Sequence, residues 1–160
     1  MTFSVVVTTF NRPQLLEQAL KGIEGQLHPP HQIIVVDDAS NKDNRAIIRQ
    51  FSNLTITYHK LPLHSGANMA RNAGILLANQ DVVAFLDDDD LWDKDYLKKM
   101  SDFIFKKKSK IFYAWLIDLY NDYKKPGKKL QPNVPISTFL YKNPGSVISN
   151  LIVKLKTLFN

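Results

Sequence analysis

Residues 82–92 read V-V-A-F-L-D-D-D-D-L-W. Five apolar residues run without a break into four aspartates. Two unit charges about 4 Å apart cost on the order of 1 kcal/mol even in water, and more near a protein surface. An unbroken apolar run of this length suits a strand buried on both faces. The position of the cluster, at the end of such a strand, predicts a site where something of opposite charge relieves the repulsion.

The rest of the chain repeats the pattern that this strand begins to suggest. Phe3–Thr9 (FSVVVTT) and Gln32–Asp37 (QIIVVD) are two more continuous apolar strands, and Leu54–Tyr58 alternates as a third in chain order. Between them, Leu15, Leu16, Ala19, Leu20 and Ile23 recur at helical spacing. Asn11 is placed to cap that helix and Pro13 to start it. A short helix is expected over Ser40–Phe51, with Ile47, Ile48 and Phe51 on one face. Another is expected from Gly66 to about Asn79, where Ala67, Ala70, Ala73 and Gly74 permit close packing. The fourth strand spans Asp81–Leu86. Asp93 is placed to cap the helix after it, with Trp92 and Leu97 as a hydrophobic staple.

Strands and helices alternating in this way predict an α/β fold, a Rossmann-like wound and mostly parallel sheet covered on both faces. Ligands of such sheets bind beyond the carboxyl ends of the strands, where the strand order reverses. With the order 3-2-1-4, that crevice lies between the first and fourth strands. Its rim is Thr8 to Asn11 and Asp87 to Asp90, with Asp37 and Asp38 from the second strand. After Lys110 the pattern changes. Ile111–Tyr120 (IFYAWLIDLY) reads as one long strand, and residues 146–159 fit either a helix stripe or a strand over Val147–Val153. Residues 1–110 form the candidate ligand-binding region and 111–160 a further region of different pattern, within one domain overall.

Composition narrows the class. The 160 residues are 44% hydrophobic and 22% charged, ordinary for a globular protein with its own core. The absence of cysteine excludes disulfide and thiolate chemistry and suits a reducing cytosol. The N-terminus carries no basic segment ahead of an apolar run, so no signal peptide is expected, and no stretch approaches the ~20 apolar residues of a membrane span. The net charge of +6 is concentrated in lysines after the aspartate cluster, from Lys98 to Lys129. They suit either a solvated face or loose contact with an anionic membrane surface. Aromatic residues are not interleaved with them as on a base-stacking platform, so no nucleic acid partner is expected.

Two carboxylates on one side of a loop make a hard-oxygen site for Mg²⁺ or Mn²⁺. If extended geometry persists past Leu86, Asp87 and Asp89 point one way and Asp88 the other. Magnesium commonly takes one or two protein carboxylates and completes its shell with water and substrate phosphates, so this arrangement predicts a phosphate-bearing ligand. An acidic residue at Asp37 or Asp38 suits a ribose or base, while one of the two is equally suited to cap a helix. Arg71 is placed to reach a pyrophosphate or to brace the aspartates. No P-loop, no G-x-G-x-x-G after the first strand and no G-x-S-x-G elbow is present. His28 and His31 flank two prolines and are not expected to bind zinc; His59 and His64 read as loop residues.

Four segments together resemble a known family. V-V-V-T-T-F-N-R (5–12), I-I-V-V-D-D-A-S (33–40), G-A-N-M-A-R-N-A-G-I (66–75) and F-L-D-D-D-D-L-W (85–92) are similar in order and spacing to family 2 glycosyltransferases of the GT-A fold. The resemblance is strong over residues 3 to about 105 and weaker to about 150; it implies that the region 1–110 binds a sugar donor and that the region 111–160 is incomplete. It implies a nucleotide-diphosphate sugar donor, a divalent metal and transfer that inverts the anomeric carbon, to a glycan or lipid-linked acceptor in cell-surface polysaccharide synthesis. It also implies a cytoplasmic protein, peripheral at the inner face of the membrane. By the same resemblance Thr8 and Asp38 hold the nucleoside, Asp87 and Asp88 lie near the ribose and phosphates, and Asp89 is the main metal ligand, completing D-x-D with Asp87. Asn11 and Arg71 complete the set of candidate substrate-binding residues.

The chain departs from the family in two places. His64 stands where the family often has asparagine, and no role follows for it. Inverting transfer needs a general base, which the family places in an acidic motif well downstream. After Asp102 the only acidic residues are Asp118 and Asp122, and neither has that context. Asn143–Val147 resembles the stretch shortly before the missing motif. The expectation is a donor-binding half from a truncated chain, and the alternative is a non-catalytic nucleotide-diphosphate-binding remnant.

Overall fold

A computed structural model describes residues 1–106, 111–113, 116–118, 123–125 and 151–155. Eight strands and four helices are assigned within them. In chain order they are β1 (Phe3–Thr9), α1 (Pro13–Glu24), β2 (Gln32–Asp37), α2 (Arg45–Ile48), β3 (Ile56–Lys60), α3 (Ala67–Leu77), β4 (Val82–Asp87), α4 (Tyr96–Lys106), β5 (Ile111–Tyr113), β6 (Leu116–Asp118), β7 (Tyr123–Lys125) and β8 (Leu151–Lys154). The main sheet has the order β3-β2-β1-β4-β8-β5. Its first four strands are parallel, in the expected 3-2-1-4 order.

Burial explains why β1 lies at the centre of the parallel part. Every residue of β1 and β2, and all of β4 but Asp87, is buried. Val5 and Val7 face the cluster that takes in Leu16, Leu20 and Ile23 of α1 and Leu97, Met100 and Ile104 of α4. Val6 points the other way, into a smaller cluster with Ala70 and Ile75 of α3. The small residues of α3 are required there: a Cβ on Gly74 would fall 2.3 Å from Val6 Cγ1. A β-strand that meets helices on both faces has no polar side, which is why its sequence is continuously apolar.

The second region is assembled differently from expectation. Ile111–Tyr120 is not one strand: β5 pairs with β8, while β6 pairs with β7 in a separate two-stranded sheet. Of the two readings of residues 146–159, the strand is correct over Leu151–Lys154. β8 runs antiparallel between β4 and β5, with Ala84 opposite Ile152. Both partners are buried, so apolar content came from sheet packing rather than a helix face. Residues 126–150, including Asn143–Val147, and Asp122 lie outside the described residues.

Three boundaries also moved. The helix expected over Ser40–Phe51 is reduced to Arg45–Ile48, because the Ser40 N–H and the Asn44 side chain are both taken by Asp37. The third strand starts at Ile56, since Leu54 closes a turn onto Phe51 O. Asn11 does not cap α1. It adopts φ 56°, and its Oδ1 accepts from the Asn41 N–H, leaving Arg12 at the cap position with no side-chain capping bond.

Candidate functional site

Register brings the acidic ends together. Thr8 lies opposite Asp87 and Thr9 opposite Asp37, so the carboxyl ends of β2, β1 and β4 finish at one level. The loops that follow them bring Phe10 to Arg12, Asp38 to Ser40 and Asp88 to Asp90 to one rim. Two loops are fastened directly: the Asn11 N–H donates to Ser40 Oγ at 2.8 Å.

Asp37 is fully buried and is consumed by the fold. It accepts from the Ser40 N–H, Asn44 Nδ2 and the Tyr58 hydroxyl at 2.7, 2.8 and 2.6 Å. Burial first, and then this bond to Asp37, raise the Tyr58 hydroxyl well above its ordinary pKa. Asp38 is also buried. Its Oδ1 accepts from the Ser65 N–H and its Oδ2 from the Gly66 N–H, both at 2.8 Å. Asp38 thus fixes the turn into α3, where Gly66 takes φ 88°. The same Oδ2 lies 2.8 Å from His64 Nδ1, and the His64 ring stacks on Phe10 at 4.0 Å between centroids, 22° from parallel.

The aspartates after β4 are held by arginines. Asp87 receives Arg71 Nη2 at 2.7 and 2.8 Å and the Thr8 hydroxyl at 3.0 Å. Arg71 therefore braces Asp87. Extended geometry ends at Asp87, where a turn closes from the Asp90 N–H to Asp87 O. Strand alternation consequently does not carry on to Asp89, as the sequence reading supposed. Asp88 and Asp89 instead converge on one guanidinium: Arg12 Nη1 lies 3.2 Å from Asp88 Oδ1 and 2.8 Å from Asp89 Oδ2. Burial pushes the Asp88 carboxyl up from its usual range, against the pull of Thr9 and Arg12. The two carboxylates push the Arg12 guanidinium up, Asp88 most strongly.

Three consecutive carboxylates supply hard oxygens of the kind that Mg²⁺ and Mn²⁺ take. Arg12 Nη1 already sits as a cation shared between Asp88 and Asp89, and the Asp89 side chain is 53% exposed. Among the described residues no set of three or more His, Cys, Asp or Glu side chains is arranged to enclose a metal ion. The donor set therefore fits an open site completed by ligand oxygens, not a closed cage.

The candidates Thr8, Asn11, Asp38, Arg71, Asp87, Asp88 and Asp89 all lie on this rim. Asn11 and Asp38 make their contacts within the protein. The sequence places Thr9 and Phe10 on the rim without individual roles and assigns no role to Arg12 or His64. A basic residue directly after the Asn that ends the β1 loop was the available signal for Arg12; nothing in residue spacing foretold the stacking of Phe10 on His64. Of the lysines from Lys98 to Lys129, Lys98, Lys99 and Lys106 lie among the residues with described side chains, and no described helix is long and apolar enough to cross a membrane.

The family model "Glycosyl transferase family 2" matches residues 4–151. The chain is 35% identical over 106 residues to a putative teichuronic acid biosynthesis glycosyltransferase of Bacillus subtilis, covering 65% of this chain and 42% of that protein. Its fold is similar to S. aureus TarS 1–349 in complex with UDP-GlcNAc, with a TM-score of 0.76 and 25% identity over 97% of this chain and 46% of that one. It is also similar to a mannosyltransferase of Pyrobaculum calidifontis in complex with GDP-Man and Mn²⁺, with a TM-score of 0.63 and 25% identity over 68% of this chain and 34% of that one. The chain thus spans less than half the length of each of these three proteins.

Proposed function

The chain belongs to glycosyl transferase family 2, and from that premise we propose that its rim binds a nucleotide-diphosphate sugar for metal-dependent, inverting transfer to a glycan or lipid-linked acceptor of cell-surface polysaccharide. The observation that carries this reading is the placement of Asp87, Asp88 and Asp89 at the switch point between β1 and β4, each paired with an arginine. The relatives support it: one is named as a putative teichuronic acid biosynthesis glycosyltransferase, and the solved structures hold UDP-GlcNAc or GDP-Man. A non-catalytic remnant is less favoured, because these relatives are named as transferases.

The chain's own residues would divide the work. Asp87 and Asp89 would hold Mn²⁺ or Mg²⁺, with Asp88 charge-balanced by Arg12. Bound there, the ion would supply Lewis-acid neutralisation of the departing diphosphate. Arg71, fixed on Asp87 by a two-point contact, would keep that carboxylate oriented. The general base is assigned to none of the described residues. The same reading places the protein in the cytoplasm at the inner membrane face, with the lysines drawn to anionic lipid.

Isothermal titration of nucleoside diphosphates with Mn²⁺ tests the site. We expect metal-dependent binding that falls at least tenfold in Asp89→Ala, with the melting temperature nearly unchanged because the side chain is half exposed. Absence of binding at millimolar nucleotide would overturn the reading.

A further inference from the structure

We propose that α4 and the loop between α1 and β2 form a membrane-docking surface, which sets Leu27 and Phe105 into the interface of an anionic bilayer. This rests on the membrane-face reading above, which named no contact element. The inner face of α4 is complete without Phe105: Leu97, Met100 and Ile104 recur at helical spacing and are buried in the main core. Phe105 lies on the adjoining face, with Lys98 and Ser101, and is 86% exposed. Leu27, 61% exposed, is brought beside that face. Together with His28, Lys98, Ser101 and Asp102 it lines an open cleft of about 500 Å³. Its N–H donates to the Lys94 carbonyl at 2.8 Å, which fixes the loop against the start of α4.

A single exposed apolar residue needs no explanation. The charges around these two do. Lys94, Lys98 and Lys106 are exposed and form no ion pair among the described residues, whereas Lys99 is paired with Asp95. The one acid lining the cleft is Asp102. The surface thus sets apolar tips among cations that exceed their counter-charge. Phosphate head groups over acyl chains complement that arrangement: lysine ammoniums lie in the head-group layer, and leucine and phenylalanine reach the acyl boundary. A second copy of the chain fits poorly, because a two-fold contact sets the same lysines against each other. A protein partner would need about 800 Å² with an apolar centre, and the centre here is a cleft holding lysine and aspartate. Leu27 and His28 lead into β2 at its amino end, while the rim lies at the carboxyl ends. Docking therefore leaves the rim uncovered.

The test is cosedimentation of the full chain with phosphatidylcholine vesicles, with or without one-third phosphatidylglycerol. The wild type should bind the anionic vesicles at least tenfold more tightly than the neutral ones, and lose affinity as salt rises past about 0.15 M. Leu27→Ser and Phe105→Ser should each weaken binding roughly threefold to tenfold. Lys98→Glu combined with Lys106→Glu should weaken it about tenfold or more. All four side chains are exposed, so melting temperature and nucleotide affinity with Mn²⁺ should not move. The chain has no cysteine, so Phe105→Cys can carry a single nitrobenzoxadiazole label. Its emission should shift to the blue on anionic vesicles, while the same label at Lys42→Cys, in the exposed loop after β2, stays as in water. The inference is overturned if both serine variants bind as the wild type does, or if the label at 105 stays in water. It is equally overturned if that label leaves water without vesicles as protein concentration rises, which would make the surface a contact between copies. Anionic-vesicle binding that ignores Leu27 and Phe105 leaves the membrane-face reading standing, whereas no binding of the wild type overturns both.

Discussion

Asp37 and Asp38 end β2, and Asp87 and Asp88 end β4, one strand on each side of β1. The two pairs look alike in sequence and are held by different partners. The first pair accepts mainly from groups with no net charge: backbone N–H groups, an amide and a phenol, with His64 at its outer edge. The second pair is held by hydroxyls and by two arginines. Dipolar partners built into turns cannot leave without unfolding the turn. A guanidinium on a flexible stem can yield to another cation or turn to an anion. The first pair is therefore a brace for the loops and the second a seat for exchangeable charge. Across a graded set of substitutions, loss of stability and loss of ligand binding should trade places.

Asp37→Ala should have the largest effect on folding. It strands the Ser40 N–H, the Asn44 amide and the Tyr58 hydroxyl, at about 1–3 kcal/mol for each buried group left unsatisfied. The expected loss is about 3 kcal/mol or more in equilibrium denaturation. A loss no greater than that of Asp89→Ala would break the distinction between brace and seat.

Arg71→Met comes next. The pair is mostly buried, with Arg71 11% and Asp87 22% exposed. Removing one partner leaves the other charge under-solvated, at about 1–3 kcal/mol. Nucleotide affinity should fall with it. Calorimetric binding measured well below the melting temperature separates the two effects. Unchanged binding in a destabilised protein would assign Arg71 to the brace instead.

The contrast between the two pairs also marks how far the sequence was legible. Continuous apolar runs revealed β1, β2 and β4, because strands buried on both faces carry no polar alternation. The small residues of α3 gave its close approach to β1, where Gly74 meets Val6. The rim's membership was legible as well, since register follows from parallel strands of similar length. Its pairings were not. Alternation is a property of extended chain, and the chain turns after Asp87. Ser40–Asn44 was lost as helix for a related reason: a side chain from β2 outcompeted the local hydrogen bonds. In 111–120, aromatic and β-branched content signalled strand but could not show that its two halves join different sheets.

Arg12→Ala sharpens the comparison with the smallest effect on folding. Arg12 is half exposed, and exposed pairs contribute about 0–1 kcal/mol. Its partner Asp88 is buried, with a carboxyl already pushed up by desolvation, so some loss is expected. Removing the guanidinium also removes a positive charge that competes for Asp88 and Asp89. Mn²⁺ affinity without nucleotide should therefore rise, by roughly threefold to tenfold for an interaction on the scale of 1 kcal/mol. Lysine at this position should restore most of the competition, because charge rather than the planar fork is what opposes the ion. Titration of Mn²⁺ followed by its paramagnetic resonance reads this directly. A fall in affinity would mean that Arg12 arranges the two carboxylates for the metal instead of occupying its place. The second pair would then share the bracing character of the first.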